Sequence, residues 1–253
     1  MSVRAAAEGG VLTITIDRPQ ARNAVDPAVA QGIEAALDRL EADDALRAGI
    51  LTGVPPVFCA GADLRVVGEG RTAELSTERG GFAGLTRRER AKPLIAAVDG
   101  PALAGGFELV LACDLVVASA AAEFALPEVR RGLVAAAGGL ARLPQRLPLT
   151  IALEAVLTGM RIDAEEAAGY GLVNRLCAPG EALGTARALA EEIVLGAPLA
   201  VGAALAAMRR DPRQEADAWA RSDAAAAAVT GSDDVQEGVR AFFEKRPPRW
   251  RGR

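Results

Sequence analysis

Between Val11 and Gly53 the apolar pattern changes its period twice, and that change commits the chain to an α/β arrangement. Val11–Ile16 alternates branched residues with threonine and reads as a strand. Asp26-Pro27 is a helix start, with Asp as the cap and Pro in the first turn. Val29, Ile33, Ala36, Leu37 and Leu40 then recur at helical spacing until Asp43-Asp44, and Ala48–Thr52 is a second strand closed by Gly53. Leu94–Val98 and Leu115–Ala118 read as further strands, Thr150–Thr158 as a helix, and Leu172–Cys177 as a brief strand. Residues 65–90 are polar without a strong period and read as loop with some helix. Asp163 caps another helix, and from Glu181 onward the pattern predicts three or four helices with Pro198, Pro212 and Ser232 near their starts. Lys245 to Arg253 is a basic, proline-containing tail. The expected organisation is one α/β core over 1–195 and a helical region over 196–253 that is too small to stand alone.

What the chain lacks narrows its chemistry. It has no histidine among 253 residues, which removes Ser-His-Asp and Cys-His catalysis, histidine-ligated zinc and histidine as a general base. Acid–base work near neutral pH falls to carboxylates, Lys, Cys or the single tyrosine, Tyr170. Cys59, Cys113 and Cys177 lie far apart in apolar stretches, as buried reduced thiols do. No metal-ligand spacing and no phosphate-cradling loop is present. A net charge of -4 does not favour a nucleic-acid surface. Residues 1–10 carry no basic segment followed by an apolar stretch, and the longest uncharged run, Ile193 to Met208, contains Pro198 and falls short of the roughly 18 apolar residues of a membrane helix. The expectation is a soluble, cytoplasmic protein without membrane or nucleic-acid partners.

Three segments stand out. In Ala104-Gly105-Gly106-Phe107-Glu108 the glycines allow close approach to the main chain, and the helix that follows starts with unpaired N–H groups that suit developing negative charge. The same pair of glycines also serves as a plain strand-to-helix turn. Glu108 neighbours Leu111, Ala112 and Leu115 at helical spacing, so its carboxylate must be paired, hydrogen-bonded or held for chemistry. Asp114, near the end of the segment, reads as a structural hydrogen-bonding residue. Glu128 follows Pro127 just ahead of Arg130-Arg131, where an ordinary surface ion pair is the simple reading. Phe58-Cys-Ala-Gly-Ala-Asp-Leu64 offers a second small-residue turn for close approach of a ligand.

Together these segments resemble the enoyl-CoA hydratase/isomerase (crotonase) family. The matching stretches are Asp17–Ala24, Phe58–Leu64, Ala102–Leu109, Ala112–Leu115, Phe124–Val129, Gly159–Asn174 and Phe242–Arg246, in the family's order. The resemblance implies a spiral of repeated strand–strand–helix units with C-terminal helices, assembled as homotrimers or homohexamers through the C-terminal region. It implies an oxyanion hole made by the N–H groups of Ala62 and Gly105. It implies that Glu108 helps activate a water for attack at C3 and that Glu128 exchanges a proton with C2. Coenzyme A enters as part of the substrate, no other cofactor or metal is implied, and Ala62, Asp63, Leu64 and Arg65 would line its groove. Arg22 would reach its phosphates, and Phe242 and Lys245 would do so from a neighbouring subunit. After Gly132 the chain reads Leu-Val-Ala-Ala-Ala-Gly-Gly139, a departure that alters the wall beside Glu128. The implied activity is hydration of a 2-enoyl-CoA thioester or its reverse. The alternatives are double-bond isomerisation by one glutamate, or an acyl-CoA-binding protein without turnover.

Overall fold

The computed structural model describes residues 2–209 and 212–252, so Arg253, at the end of the basic tail, lies outside the described residues. Strand β1 (Val3–Glu8) turns back at Gly9-Gly10 into β2 (Val11–Ile16), to which it pairs antiparallel. Helix α1 (Pro27–Ala42) follows, and β3 (Ala48–Gly53) then lies parallel to β2. Asp26 caps α1 by accepting from the Val29 N–H at 2.8 Å, and Val29, Ile33, Leu37 and Leu40 are buried as their spacing predicts. The sequence pattern did not announce β1. Its Val-Arg-Ala-Ala-Ala-Glu run lacks alternation because it is an edge strand with only Val3 buried.

The polar 65–90 stretch folds as helix α2 (Leu64–Gly68), a 3-10 turn (Thr72–Leu75) and a small hairpin of β4 (Ser76–Thr77) with β5 (Gly81–Phe82). Strands β6 (Leu94–Val98) and β7 (Ala102–Leu103) lead into α3 (Gly105–Ala112). Strands β8 (Leu115–Ser119) and β9 (Glu123–Ala125) lead into a 3-10 turn over Glu128–Arg131. Then come α4 (Gly139–Arg146), α5 (Leu149–Thr158), β10 (Arg161–Asp163), α6 (Ala164–Gly169) and β11 (Arg175–Cys177). Four helices finish the chain, α7 (Ala182–Val194), α8 (Pro198–Met208), α9 (Pro212–Val229) and α10 (Asp233–Phe243).

The large sheet runs β1-β2-β3-β6-β8-β11 and is parallel from β2 onward. Its central strands are buried on both faces. Ile50, Ile95, Ala97 and Val117 pack with Ala186 and Ala190 of α7, while Leu51, Ala96, Val98 and Val116 face the main core with Leu37 and Leu40 of α1. A second ladder crosses over the first. Cys59 bridges Ala102, β7 pairs with β9, and β9 pairs with β10. Each turn of the chain thus gives one strand to the large sheet, one to the small ladder, and then a helix or helical turn: β3 with 59–62 and α2, β6 with β7 and α3, β8 with β9 and the 128–131 turn. This is the crotonase-type spiral that the resemblance implied.

The C-terminal helices rest on that spiral. Buried Arg90 donates to Asp114 at 2.9 Å, and Arg209, just after α8, donates to the other Asp114 oxygen at 3.0 Å. Asp114 also accepts from the Leu94 N–H at 2.8 Å, so the structural reading of this residue is right. Helix α8 buries none of its residues, and Leu195, Leu199 and Met208 are 88%, 89% and 86% exposed. No single helix among the described residues is long and apolar enough to cross a membrane; α7 and α8 pass only as a pair bent by 108°.

Candidate active site

Three successive turns of the spiral converge on one place, and the main chain does the joining. Asn23 is fully buried with φ at 54°, and its side-chain amide donates to the carbonyls of Val54 (2.8 Å) and Val57 (2.6 Å). Val25 then brackets the next turn, donating to the Gly61 carbonyl at 2.8 Å and accepting from the Asp63 N–H at 2.9 Å. The Ala62 N–H between them has no acceptor among the described residues.

The second turn is laid against the first by the Leu103 N–H, which donates to the Cys59 carbonyl at 2.9 Å, and against the third by the Ala104 N–H, which donates to Ala125 at 2.8 Å. Ala104 holds φ 52° and ψ -128°, a region an alanine rarely occupies, and this conformation opens α3 at Gly105. The Gly105 N–H has no acceptor among the described residues either. The two turns touch, since a Cβ at Gly61 would lie 2.9 Å from the Gly105 nitrogen. Gly105 is covered by Phe82, and a Cβ on Gly106 would fall on the carbonyl oxygen of Cys59. The glycine pair is therefore a tight turn that lays Gly105 against Gly61, the residue before Ala62.

Glycine at position 104 would hold the same backbone without strain. Ala104→Gly is expected to raise stability by about 1 kcal/mol, the cost of a positive φ on alanine less the added freedom of glycine in the unfolded chain. Thermal denaturation should show the midpoint rising by about 2–4 °C. A fall would mean that position 104 carries no strain.

Glu108 sits in the first turn of α3 and is 3% exposed. Its Oε1 accepts from the N–H of Gly139 at 2.8 Å, at the start of α4, and the Ala137 N–H adds a second donor. Burial pushes its carboxyl up to about 7, against the pull of those two amides and the Arg142 cation. Glu128 opens the 3-10 turn with its Oε2 buried and without a hydrogen-bond partner among the described residues. Burial first, and the Glu108 charge second, push it up to about 8. Each acid raises the other's proton affinity, so near neutral pH the two behave as a pair that shares one proton. The surface ion pair that Arg130-Arg131 suggested is not formed: Arg130 donates to the Thr158 carbonyl at 2.8 Å, and Arg131 lies over the Phe242 ring at 5.0 Å.

The Asp63 side chain is turned inward, where it caps α2 through the Arg65 N–H at 3.1 Å and pairs with Arg18 at 3.1 Å. Those contacts make it part of the frame that holds the 59–62 turn. Leu64 is half-buried, and Arg22, Arg65 and Lys245 are exposed. Phe242 is 45% exposed and lies in its own chain's cavity of about 300 Å³ with Leu103, Pro127 and Arg131. Cys59 is a buried thiol pushed up to about 12, which excludes it as a nucleophile.

Sequence reasoning missed Gly139, Arg142 and Phe82. The signal for Gly139 was present, since Gly138-Gly139 opens a helix after an apolar run just as Gly105-Gly106 does. The Gly139 N–H, at that helix start, donates to the Glu108 carboxylate.

A sequence model of the enoyl-CoA hydratase/isomerase family matches residues 6–253. Among curated relatives, a carnitinyl-CoA dehydratase of Salmonella arizonae is 44% identical over 259 residues, covering 99% of this chain and 98% of that protein. One from Proteus mirabilis is 41% identical, covering 100% and 99%. Among solved structures, a carnitinyl-CoA hydratase from Mycobacterium avium superposes with a TM-score of 0.92 at 41% identity, covering 100% of this chain and 99% of that one. An enoyl-CoA hydratase from Mycobacterium tuberculosis superposes with a TM-score of 0.79 at 46% identity, covering 100% and 99%.

Proposed function

The chain belongs to the enoyl-CoA hydratase/isomerase family, and from that premise we propose that it adds water across the 2,3 double bond of a 2-enoyl-CoA thioester, or removes it from the 3-hydroxyacyl-CoA. The observation that carries the proposal is the pair of buried glutamates beside two vacant main-chain donors. The thioester oxygen sits on the N–H groups of Ala62 and Gly105, which stabilise it as the enolate forms; a donor of this kind is worth about 2.7–4 kcal/mol in other enzymes. One water lies between the acids. Two backbone donors favour the charged form of Glu108, whereas Glu128 has only its own N–H and its buried Oε2 has no partner, so the shared proton rests on Glu128. In hydration Glu108 takes a proton from the water as its oxygen bonds to C3, and Glu128 gives its proton to C2. Dehydration runs the same steps in reverse. The chemistry needs no cofactor beyond the coenzyme A of the substrate. Isomerisation needs only Glu128 to carry a proton, and the presence of Glu108 beside it favours water addition.

Hydration needs one acid ionised and the other protonated, so kcat/KM against pH should be a narrow bell. Its limbs should lie near the pair's values of about 7 and about 8. Initial rates with crotonyl-CoA from pH 5 to 10 would measure it, and a flat profile would sink the assignment of a shared proton. The relatives' names make carnitinyl-CoA the second compound to assay.

For the coenzyme A moiety, Leu64, Arg65 and Arg22 line the near side. We place Phe242 and Lys245 of a neighbouring copy on the far side, with 196–253 as the region through which copies meet in trimers or hexamers. The bare apolar surface of α8 supports such a contact. Light scattering should give the mass of three or six chains, and Leu199→Glu should lower it.

A further inference from the structure

Arg130, Arg131, Arg161 and Arg246 line the cavity beside the 128–131 turn, and three of them are already engaged. Arg130 holds the Thr158 carbonyl at the end of α5, Arg161 pairs with Glu123, and Arg246 pairs with Glu237 and Glu244. The Arg131 side chain has no hydrogen bond and no ion pair among the described residues, although the residue is half-buried. What holds it is the face of Phe242 on α10, at 5.0 Å. The helix is pressed against the turn at the same place, since a Cβ on Gly238 would fall on the Arg131 carbonyl oxygen. In a 3-10 turn, side chains three residues apart eclipse, so Glu128 and Arg131 lie on one side of theirs.

We propose that Arg131 is a positioning residue that sets the charge state of Glu128, and that Phe242 keeps it there, which ties the C-terminal helix to the acid–base pair. The inference rests on the hydratase reading for its kinetic consequence but not for its electrostatic one. The charged groups around Glu128 leave Arg131 as the effective cation. Glu108 on α3 is an anion and raises the proton affinity of Glu128; Arg142 acts on Glu108; Asp234 on α10 is occupied by the Arg251 and Gly252 N–H groups at 2.6 and 2.9 Å. Arg131 is the cation that pulls Glu128 down, and Glu128 in turn favours the charged guanidinium that burial disfavours.

The test is a titration of Glu128 by carbon-13 NMR in the substrate-free full chain, alongside pH profiles for hydration. The variants are Arg131→Met, Arg131→Lys and Phe242→Leu. Removing the cation should raise the Glu128 midpoint by about half a unit to one unit, at the low end of shifts from a neighbouring charge because the two groups do not form a contact pair. The alkaline limb of hydration should move up by the same amount, because Glu128 keeps its proton to higher pH. Lysine should restore the wild-type midpoint, and Phe242→Leu should move it part of the way. A Glu128 midpoint in folded Arg131→Met equal to that of wild type overturns the proposal, even if the melting temperature falls. If the midpoint shifts but no enoyl-CoA is hydrated by wild type, the tuning stands and the hydratase reading fails.

Discussion

Glu128→Gln should lower kcat for hydration by about 10²- to 10⁴-fold while leaving KM nearly unchanged, because glutamine has the size of glutamate but cannot pass a proton to carbon. Glu108→Gln should do much the same, and the double variant should cost little more than either single one, as expected of groups that act as a unit. Neither loss should come from unfolding. The folded-state value of Glu128 lies above that of an ordinary glutamate, so its contribution to stability is fully present below the ordinary carboxylate range and is lost as pH rises toward about 8. An amide in its place does not ionise. Relative to wild type, Glu128→Gln should therefore gain stability as pH rises through that window, which thermal denaturation at pH 5 and pH 9 would read. A variant with more than a fifth of wild-type kcat would remove Glu128 from the chemistry.

Asp114→Ala carries the largest expected cost to stability. Its partner Arg90 has a side chain only 4% exposed, and the Arg209 guanidinium and the Leu94 N–H also rely on the same carboxylate. Removing one member of a buried charge pair strands the other, at about 3–5 kcal/mol. For a chain of this size that corresponds to a melting midpoint lower by roughly 6–20 °C. The arginines hold the Asp114 carboxyl below its ordinary value against the opposing pull of burial. Its stabilisation is thus present above the unfolded value and fades as pH falls through the lower folded one, so the wild-type advantage over Asp114→Ala should shrink in acid. A loss below about 1 kcal/mol would place this cluster with ordinary surface ion pairs.

Most of the spiral was legible because its strands obey local rules. Val11–Ile16, Leu94–Val98 and the Asp26-capped helix announced themselves through period and cap. Strands β7, β9 and β10 span two or three residues each, too short for any period, and they exist because the turns of the spiral stack on one another. The site was legible in part for the same reason. Two glycines before an apolar helix marked Gly105, but nothing local could show that Val25 would bracket Gly61 and Asp63 and so free the Ala62 N–H. Glu128 looked like the partner of its flanking arginines until the backbone sent Arg130 to Thr158 and Arg131 to Phe242.

The vacant donors at 62 and 105 are peptide groups, and a peptide group is the one part of a residue that almost every codon supplies. Replacing the side chains around them can reshape what the cleft accepts without disturbing how it would grip a carbonyl, which leaves a descendant free to take up a different acyl group by small steps. The grip is vulnerable instead at a neighbour that touches no ligand. At Gly106 the added methyl of alanine would strike the Cys59 carbonyl and push the two turns apart.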